Sequence, residues 1–331
     1  MRCAVIGAGA WGTALADLLA AAGHDVRLWA YEPDVVQTIN ERHENTRFLA
    51  GAPLSPELIA TNEQSEALEG ATLVLYATPS THLRSIARAA ASCVHRDAIL
   101  AVASKGIELG SMALMTDVVS AEVPNHSVVA LSGPSFAAEV AARQPTAVVA
   151  ACESADAARY VQEAMSGGTF RIYTHDDVVG VELGGALKNV MAVATGILEG
   201  VGLGFNSRAA LLTRGLAEMT RLGTSLGARA ATFAGLAGVG DLVLTCTGTL
   251  SRNRALGVEI GKGKTLDEAR AGKETVAEGV VTTASTIELA AREGVEMPIA
   301  EMVYRILFDH YPAKLAAQEL MARELRAEQD A

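Results

Sequence analysis

The sequence predicts an α/β chain: a doubly wound parallel sheet over residues 1–178, then an all-α domain over 179–331. Three observations carry this. Short apolar runs alternate with helical stretches of ten or more residues as far as about residue 178, the pattern of strands joined by crossover helices. A glycine-rich turn, Gly7-Ala8-Gly9-Ala10-Trp11-Gly12, separates the first run from the first helix. Beyond residue 178 apolar residues recur at helical spacing and no strand-like run returns. At 331 residues the chain is long enough for two domains, each with its own core.

Taken in order, Arg2–Ile6 is a short apolar run, the glycine turn follows, and an alanine- and leucine-rich helix covers about Trp11 to Ala22. Gly23 stops that helix and Asp25–Ala30 forms the second strand. A strand, G-x-G-x-x-G, helix and strand within about thirty residues is the Rossmann fingerprint of a dinucleotide site. Gly7 permits the tight turn and Gly9 lets the backbone approach a pyrophosphate. Gly12 lets helix and strand pack closely, and the helix N-terminus attracts the phosphate charge.

At the tip of the second strand an acid would grip the ribose 2′-hydroxyl and repel a 2′-phosphate. Val26-Arg27-Leu28-Trp29-Ala30-Tyr31-Glu32 has none at that place, because Glu32 falls two or three residues late. The barrier to NADP is therefore missing, but Tyr31 stands where an arginine would welcome the phosphate. Alternation leaves the direction of Arg27 open. Both NAD and NADP remain candidates, with a lean to NADPH.

Strand-like runs continue at Leu73–Ala77, Ala98–Ala103, Val128–Leu131, Thr146–Ala151 and Thr169–Tyr173. Ser80 reads as the cap of a helix over Thr81–Ala91. In parallel sheets ligands lie at the carboxyl ends of the strands. That places Ser104-Lys105-Gly106 and Gly133-Pro134-Ser135 at a cofactor crevice, although a strand-end lysine, taken alone, is more often a solvated surface group.

Val178–Ala194 continues without a breaker, so Lys188 and Asn189 lie on a helix at the domain junction. Gly184 and Gly185 sit one turn earlier, on the lysine's own face. Each glycine costs about 1 kcal/mol against alanine in a helix interior, so close backbone approach is expected to compensate. The plainer alternative is helix packing beside a solvated lysine. Leu211, Leu212, Leu216, Met219, Leu222 and Leu226 form a core stripe. Gly235–Thr247 is a glycine-crowded stretch holding a single acid, Asp241, which suggests backbone pressed against a ligand. Ser251 reads as an N-cap with Arg252 and Asn253 in the first turn, a combination of guanidinium fork and free amides suited to phosphate. Glu274–Gly279 opens another helix and Met297-Pro298-Ile299 the next. The tail from Pro312 reads as an amphipathic surface helix.

Composition excludes other classes. A net charge of −11 argues against a nucleic-acid or anionic-membrane binder. Cys3, Cys93, Cys152 and Cys246 show no C-x-x-C spacing, which reads as reduced thiols in a cytoplasmic protein. The first strand begins at Arg2, so no signal peptide is expected. The most apolar window, Val190–Phe205, is interrupted by Glu199 and glycines, so no membrane span is expected. None of the seven histidines stands at ligand spacing from a second histidine or a cysteine, and no metal site is predicted.

Together these segments resemble one family, the bacterial NAD(P)-dependent glycerol-3-phosphate dehydrogenases. Gly7–Gly12, Ser104-Lys105-Gly106 and Ser132-Gly133-Pro134-Ser135-Phe136-Ala137 look like its first half. Gly184-Gly185-Ala186-Leu187-Lys188-Asn189, Gly238–Thr247, Ser251-Arg252-Asn253 and Glu293–Pro298 look like its second. The resemblance implies reversible hydride transfer between sn-glycerol 3-phosphate and dihydroxyacetone phosphate, supplying the glycerophospholipid backbone. It implies that Lys188 is the proton acceptor for the substrate hydroxyl, with Lys105 at the substrate and Asp241 holding Lys188 or a substrate hydroxyl. A lysine acting as a base near neutrality needs desolvation or a neighbouring cation, and Lys105 is the candidate cation. Ser251, Arg252 and Asn253 would grip the substrate phosphate, Arg252 also the cofactor. Gly133, Ser135, Asn189 and Thr245 would contact substrate. Gly7, Gly9, Ala10, Trp11, Gly12, Tyr31, Lys105, Ala137, Val276 and Glu278 would contact the cofactor. Two positions depart from the family pattern: Ala10 replaces the more usual serine, and Tyr31 a common arginine or histidine.

Two rivals follow from the same residues. β-Hydroxyacid and 6-phosphogluconate dehydrogenases share the architecture, but there the lysine and asparagine are separated by a helical turn. A non-catalytic dinucleotide sensor predicts a broken catalytic set, whereas Lys105, Lys188, Asp241 and Arg252 are all present. The expected enzyme carries its active site around Lys188 and forms a homodimer through its helical domain.

Overall fold

The computed structural model describes residues 1–272, 277–325 and 327–328. Contacts divide the chain into two units: Met1–Lys105 with Leu114–Val178, and Gly106–Ala113 with Val179 onward.

The first unit is an eight-stranded sheet: β1 (Arg2–Ile6), β2 (Asp25–Trp29), β3 (Ile59–Thr61), β4 (Leu73–Tyr76), β5 (Ile99–Val102), β6 (Val128–Ser132), β7 (Thr146–Ala151) and β8 (Phe170–His175). Their order across the sheet is β3-β2-β1-β4-β5-β6-β7-β8. Cys3–Ile6 and Leu73–Tyr76 are buried without alternation, as strands covered on both faces must be. The chain runs outward from β1 through β2 to β3, then returns to place β4 on the other side of β1. This makes the β1/β4 boundary the topological switch point, the place where such sheets bind ligands.

Two details differ from the sequence expectation. The sheet is not wholly parallel: β7 pairs antiparallel with β6 and parallel with β8. Strand direction is set by the route of the chain between strands, which the apolar runs do not encode. Ser80 does not cap its helix either. The helix spans Ser80–Ala90 with Pro79 at the cap position, so Ser80 is already its first residue.

The second unit is built around the helix Val178–Val201, buried at every position from Gly180 to Ile197. A helix apolar all round is a core helix. By length and composition this helix and the stretch Ala230–Thr247 are apolar enough to cross a membrane, but the first is 89% buried inside the fold. Its crossing with the helix Arg252–Gly261 depends on glycine. A Cβ at Gly196 would lie 2.1 Å from the Arg254 carbonyl oxygen, and one at Gly257 2.2 Å from that of Val193. Gly200 and Gly261 repeat the arrangement one turn on, each 2.3 Å from a facing carbonyl. The predicted leucine stripe is core only in part: Met219 and Leu222 are buried, while Leu211, Leu212, Leu216 and Leu226 are half-covered. The buried face of Phe205–Ser225 is instead Gly215, Glu218, Met219, Leu222 and Gly223. The tail helix, Ala313–Met321, buries only Ala316 and is a surface element.

Candidate active site

In the first unit, Gly7 leaves β1 with φ +115°, a conformation that side chains rarely adopt, and its amide donates to the Trp29 carbonyl at 3.0 Å. The close packing expected at Gly12 is present, because a Cβ there would stand 1.8 Å from the Gly7 carbonyl oxygen. At Gly9 a Cβ would meet nothing within 4 Å among the described residues, so none of them demands glycine there. Gly9 is the N-cap of the helix Ala10–Ala21, with no side-chain cap and no acid in the first turn. The leading amides, Ala10 and Trp11 among them, therefore keep their donor capacity and positive field for an anion. Trp11 Nε1, Thr78 Oγ1 and Ser132 Oγ are buried with no hydrogen-bond partner among the described residues. Such atoms are rare unless a ligand or water serves them. Donors, an open glycine and unserved polar atoms fit a pyrophosphate-bearing dinucleotide.

The neighbouring strand ends carry the other predicted residues. Lys105 Nζ donates to the Gly133 carbonyl at 3.1 Å, and Ser135 Oγ donates to the same oxygen at 2.9 Å. Gly133 has φ +139°, and a Cβ there would press within 2.9 Å of Val148 Cα. Lys105, Gly133 and Ser135 thus form one cluster, with Ala137 opening the next short helix. Tyr31 is 79% exposed beyond β2. Arg27 Nη1 is held by Asp25 Oδ1 at 2.6 Å, toward the amino end of β2, which removes it as a reader of the ribose. Sequence reasoning missed Asn45. Its buried carboxamide donates at 2.8 Å to both the Ala8 carbonyl and Thr13 Oγ1, fastening the glycine turn from outside the motif.

In the second unit Lys188 is not a solvated lysine. It is buried and paired with Asp241 Oδ1, a fully buried carboxylate. Thr245, one turn beyond Asp241 on the helix Asp241–Thr247, donates to the same oxygen at 3.3 Å. Asp241 is delivered by a π-helical turn over Leu236–Gly240, in which the Gly240 amide reaches back to the Gly235 carbonyl at 3.1 Å. Such wide turns mark functional places in helices. Gly184 explains the approach: a Cβ there would lie 2.4 Å from the Ala237 carbonyl oxygen. The glycine before Lys188 thus admits the turn that carries the lysine's partner. Close beside the pair, burial pushes the Cys246 thiol up to about 12, so it stays protonated and is no nucleophile.

Ser251 is the N-cap of Arg252–Gly261, accepting from the Arg254 amide at 3.2 Å. Arg252 is exposed at the first helical position, and Asn253 is buried beside it. Asn253 Nδ2 donates to Asn189 Oδ1 at 2.9 Å, and the Gly279 amide donates to Asn253 Oδ1 at 2.9 Å. Glu278 opens the helix Glu278–Glu293, whereas Val276 lies outside the described residues. Two groups that sequence reasoning assigned no site role fix this helix end. Arg254 clamps Glu199 through two bonds of 3.0 and 2.9 Å, and Arg208 joins Glu199 at 3.2 Å. Glu199 had figured only as a break in an apolar window, and the pair lies 55 residues apart in sequence.

Comparison with known proteins decides the family. The families described as NAD-dependent glycerol-3-phosphate dehydrogenase N-terminus and C-terminus match residues 2–158 and 177–318. The chain is 52% identical over 330 residues to glycerol-3-phosphate dehydrogenase [NAD(P)+] of Geobacter sp. (strain M21), covering 99% of this chain and 98% of that one. The chain belongs to this family. The protein of the same name from Citrifermentans bemidjiense matches at the same identity and coverage. The crystal structure of glycerol-3-phosphate dehydrogenase from Coxiella burnetii superposes with a TM-score of 0.93 at 41% identity, covering 97% of this chain and 98% of that one.

Proposed function

We propose that this member of the family interconverts sn-glycerol 3-phosphate and dihydroxyacetone phosphate with NAD(P), and that Lys188 is its acid/base. The observation that carries the assignment of Lys188 is its burial against Asp241, beside Asn189 and the capped helix that presents Arg252. When bound, NAD(P) would supply the hydride chemistry at the substrate's central carbon. In reduction the Lys188 ammonium gives a proton to the carbonyl oxygen as the alcohol forms; in oxidation the amine takes the hydroxyl proton back. Asp241 holds Nζ in one place and is itself held by Thr245, so the proton is offered from a fixed point. Arg252, with the first-turn amides of its helix, binds the substrate phosphate. Gly7, Gly9, Ala10, Trp11 and Gly12 hold the pyrophosphate; Tyr31, Ala137, Val276 and Glu278 also contact the cofactor. Lys105, Gly133 and Ser135 bind substrate at the strand ends.

The division at residue 178 into a dinucleotide-binding domain and a helical catalytic domain belongs to this reading. So do homodimer formation, a cytoplasmic location and supply of glycerol 3-phosphate for phospholipid synthesis. Because β2 ends without an acid, NADPH is expected to serve at least as well as NADH. A kcat/KM with NADH tenfold or more above that with NADPH contradicts this. Turnover of dihydroxyacetone phosphate, set beside 6-phosphogluconate and 3-hydroxyisobutyrate oxidation, tests the substrate. Preference for either hydroxy acid moves the chain to the β-hydroxyacid reading, and no turnover of any supports the sensor.

A further inference from the structure

Asn253 is assigned above beside the phosphate, yet the structure shows most of its carboxamide already engaged. The Gly279 amide is a backbone N–H and can only donate, so the Asn253 atom 2.9 Å from it must be oxygen. That settles the orientation of a group whose oxygen and nitrogen are otherwise assigned from their network. The opposite edge of Asn253 is then Nδ2, and the Asn189 atom 2.9 Å from it must again be oxygen. Asn189 is left with its two N–H donors on the edge turned away from Asn253. One backbone amide thereby sets the polarity of two side chains in succession. Both are buried, where neither can turn over without leaving a donor or acceptor unserved. Gly279 has no room for anything larger: a Cβ would lie 2.7 Å from the Asn189 carbonyl oxygen and 2.9 Å from Asn253 Oδ1.

We infer that Asn253 and the Gly279 amide are positioning groups whose work is to present Asn189 to the substrate as a donor edge. The inference rests on the glycerol-3-phosphate reading of the site. Asn189 follows Lys188 on the same helix, and a donor edge suits the lone pairs of substrate oxygens: keto, hydroxyl or phosphate. Asn253 retains at most one N–H for a ligand of its own. A direct phosphate grip is therefore the smaller part of its contribution.

A double-mutant cycle on dihydroxyacetone phosphate reduction separates the two roles. Asn253→Asp still accepts from Gly279 but turns an acceptor toward Asn189, which then swings its own N–H inward and its oxygen toward substrate. Expected are a KM for dihydroxyacetone phosphate raised by about 30-fold in Asn253→Asp and about 10-fold in Asn189→Ala, with cofactor KM within about twofold. The double variant should stay within about threefold of Asn189→Ala alone, because the first residue acts through the second. Effects that multiply, or an Asn253→Asp enzyme with unchanged KM, overturn the inference. If Asn253→Asp no longer binds cofactor, Asn253→Ala takes its place in the same cycle. A readout independent of turnover is hydrogen exchange of the Asn253 side-chain amide. It should be slow in the intact chain and fast in Asn189→Ala; fast exchange in both contradicts the relay. A wild type inactive on dihydroxyacetone phosphate overturns the substrate reading instead, and the exchange experiment still decides the relay.

Discussion

Both units crowd glycine around their candidate sites and, Gly12 apart, which packs its helix against the Gly7 carbonyl, they use it for different purposes. In the sheet unit Gly7 and Gly133 have positive φ, so the residue is needed for a backbone shape that exposes amides and carbonyls at strand ends. In the helical unit Gly184, Gly196 and Gly257 sit inside ordinary helices, and what they permit is contact between main chains. The polar groups follow the same division. The sheet unit offers backbone donors and buried polar atoms with no partner among the described residues, Trp11 Nε1, Thr78 Oγ1 and Ser132 Oγ among them. The helical unit presents side chains already locked to one another, Lys188 to Asp241 and Asn189 to Asn253. A site made of backbone waits for its ligand; a site made of buried side-chain pairs must be complete before the ligand arrives.

The contrast can be broken most severely at Asp241. Asp241→Ala leaves a buried lysine without its carboxylate, a change that costs about 3–5 kcal/mol where an interior charge loses its partner. Denaturant midpoints should fall accordingly, whereas Tyr31→Ala, at an exposed position of the sheet unit, should leave them unchanged.

A second buried carboxylate sharpens the comparison through pH. In the sheet unit Asp17 is met by Arg143 at 2.7 Å and by the Ser55 amide at 2.7 Å. In the helical unit Glu218 accepts from the Ile299 and Ala300 amides at 2.8 and 3.3 Å, at the start of the helix Pro298–Phe308. Burial outweighs those bonds and the nearby Arg221, raising Glu218 from 4.5 to about 7. The folded chain therefore keeps this proton over a range where the unfolded chain has released it. The contribution of Glu218 to stability is complete below about 4.5 and is lost as pH rises through about 7, by roughly 3 kcal/mol in all. Unfolding free energies measured across that window should decline for the wild type, and Glu218→Gln should remove the decline. An identical slope in both would contradict the assignment.

The glycines themselves give the smaller effects. Gly184→Ala forces a methyl against the Ala237 carbonyl and is expected to cost about 1–3 kcal/mol, with cofactor affinity unchanged. Gly7→Ala should do the reverse in character, weakening cofactor binding more than its loss of stability explains. Titration of cofactor into each variant, alongside its melting curve, distinguishes them.

How much of this was legible in the sequence follows the same line. The glycine turn, the first helix and β1, β2 and β4 lie within short segments whose local pattern determines them. The N-cap at Ser251 was also readable, because capping chemistry spans three residues. β3 was not: three residues, Ile59–Thr61, are too short to carry a period. The reversed direction of β7 was hidden because an apolar run has no direction. The pairing of Lys188 with Asp241 joins positions 53 residues apart, and that of Asn189 with Asn253 positions 64 apart. No periodicity reports such a distance. Family resemblance supplied the residues and left Asp241 to hold either Lys188 or a substrate hydroxyl; the folded chain pairs it with Lys188 and adds the partnership of Asn189 with Asn253.

The most direct test of Lys188 as acid/base is dihydroxyacetone phosphate reduction by the intact chain and by Lys188→Ala, followed through cofactor absorbance. Lys188→Ala is expected to lose about 10²–10⁴ in kcat, with cofactor affinity retained. A variant that still reduces the substrate at near wild-type rate would place the proton on Lys105 or a water and contradict the role of Lys188.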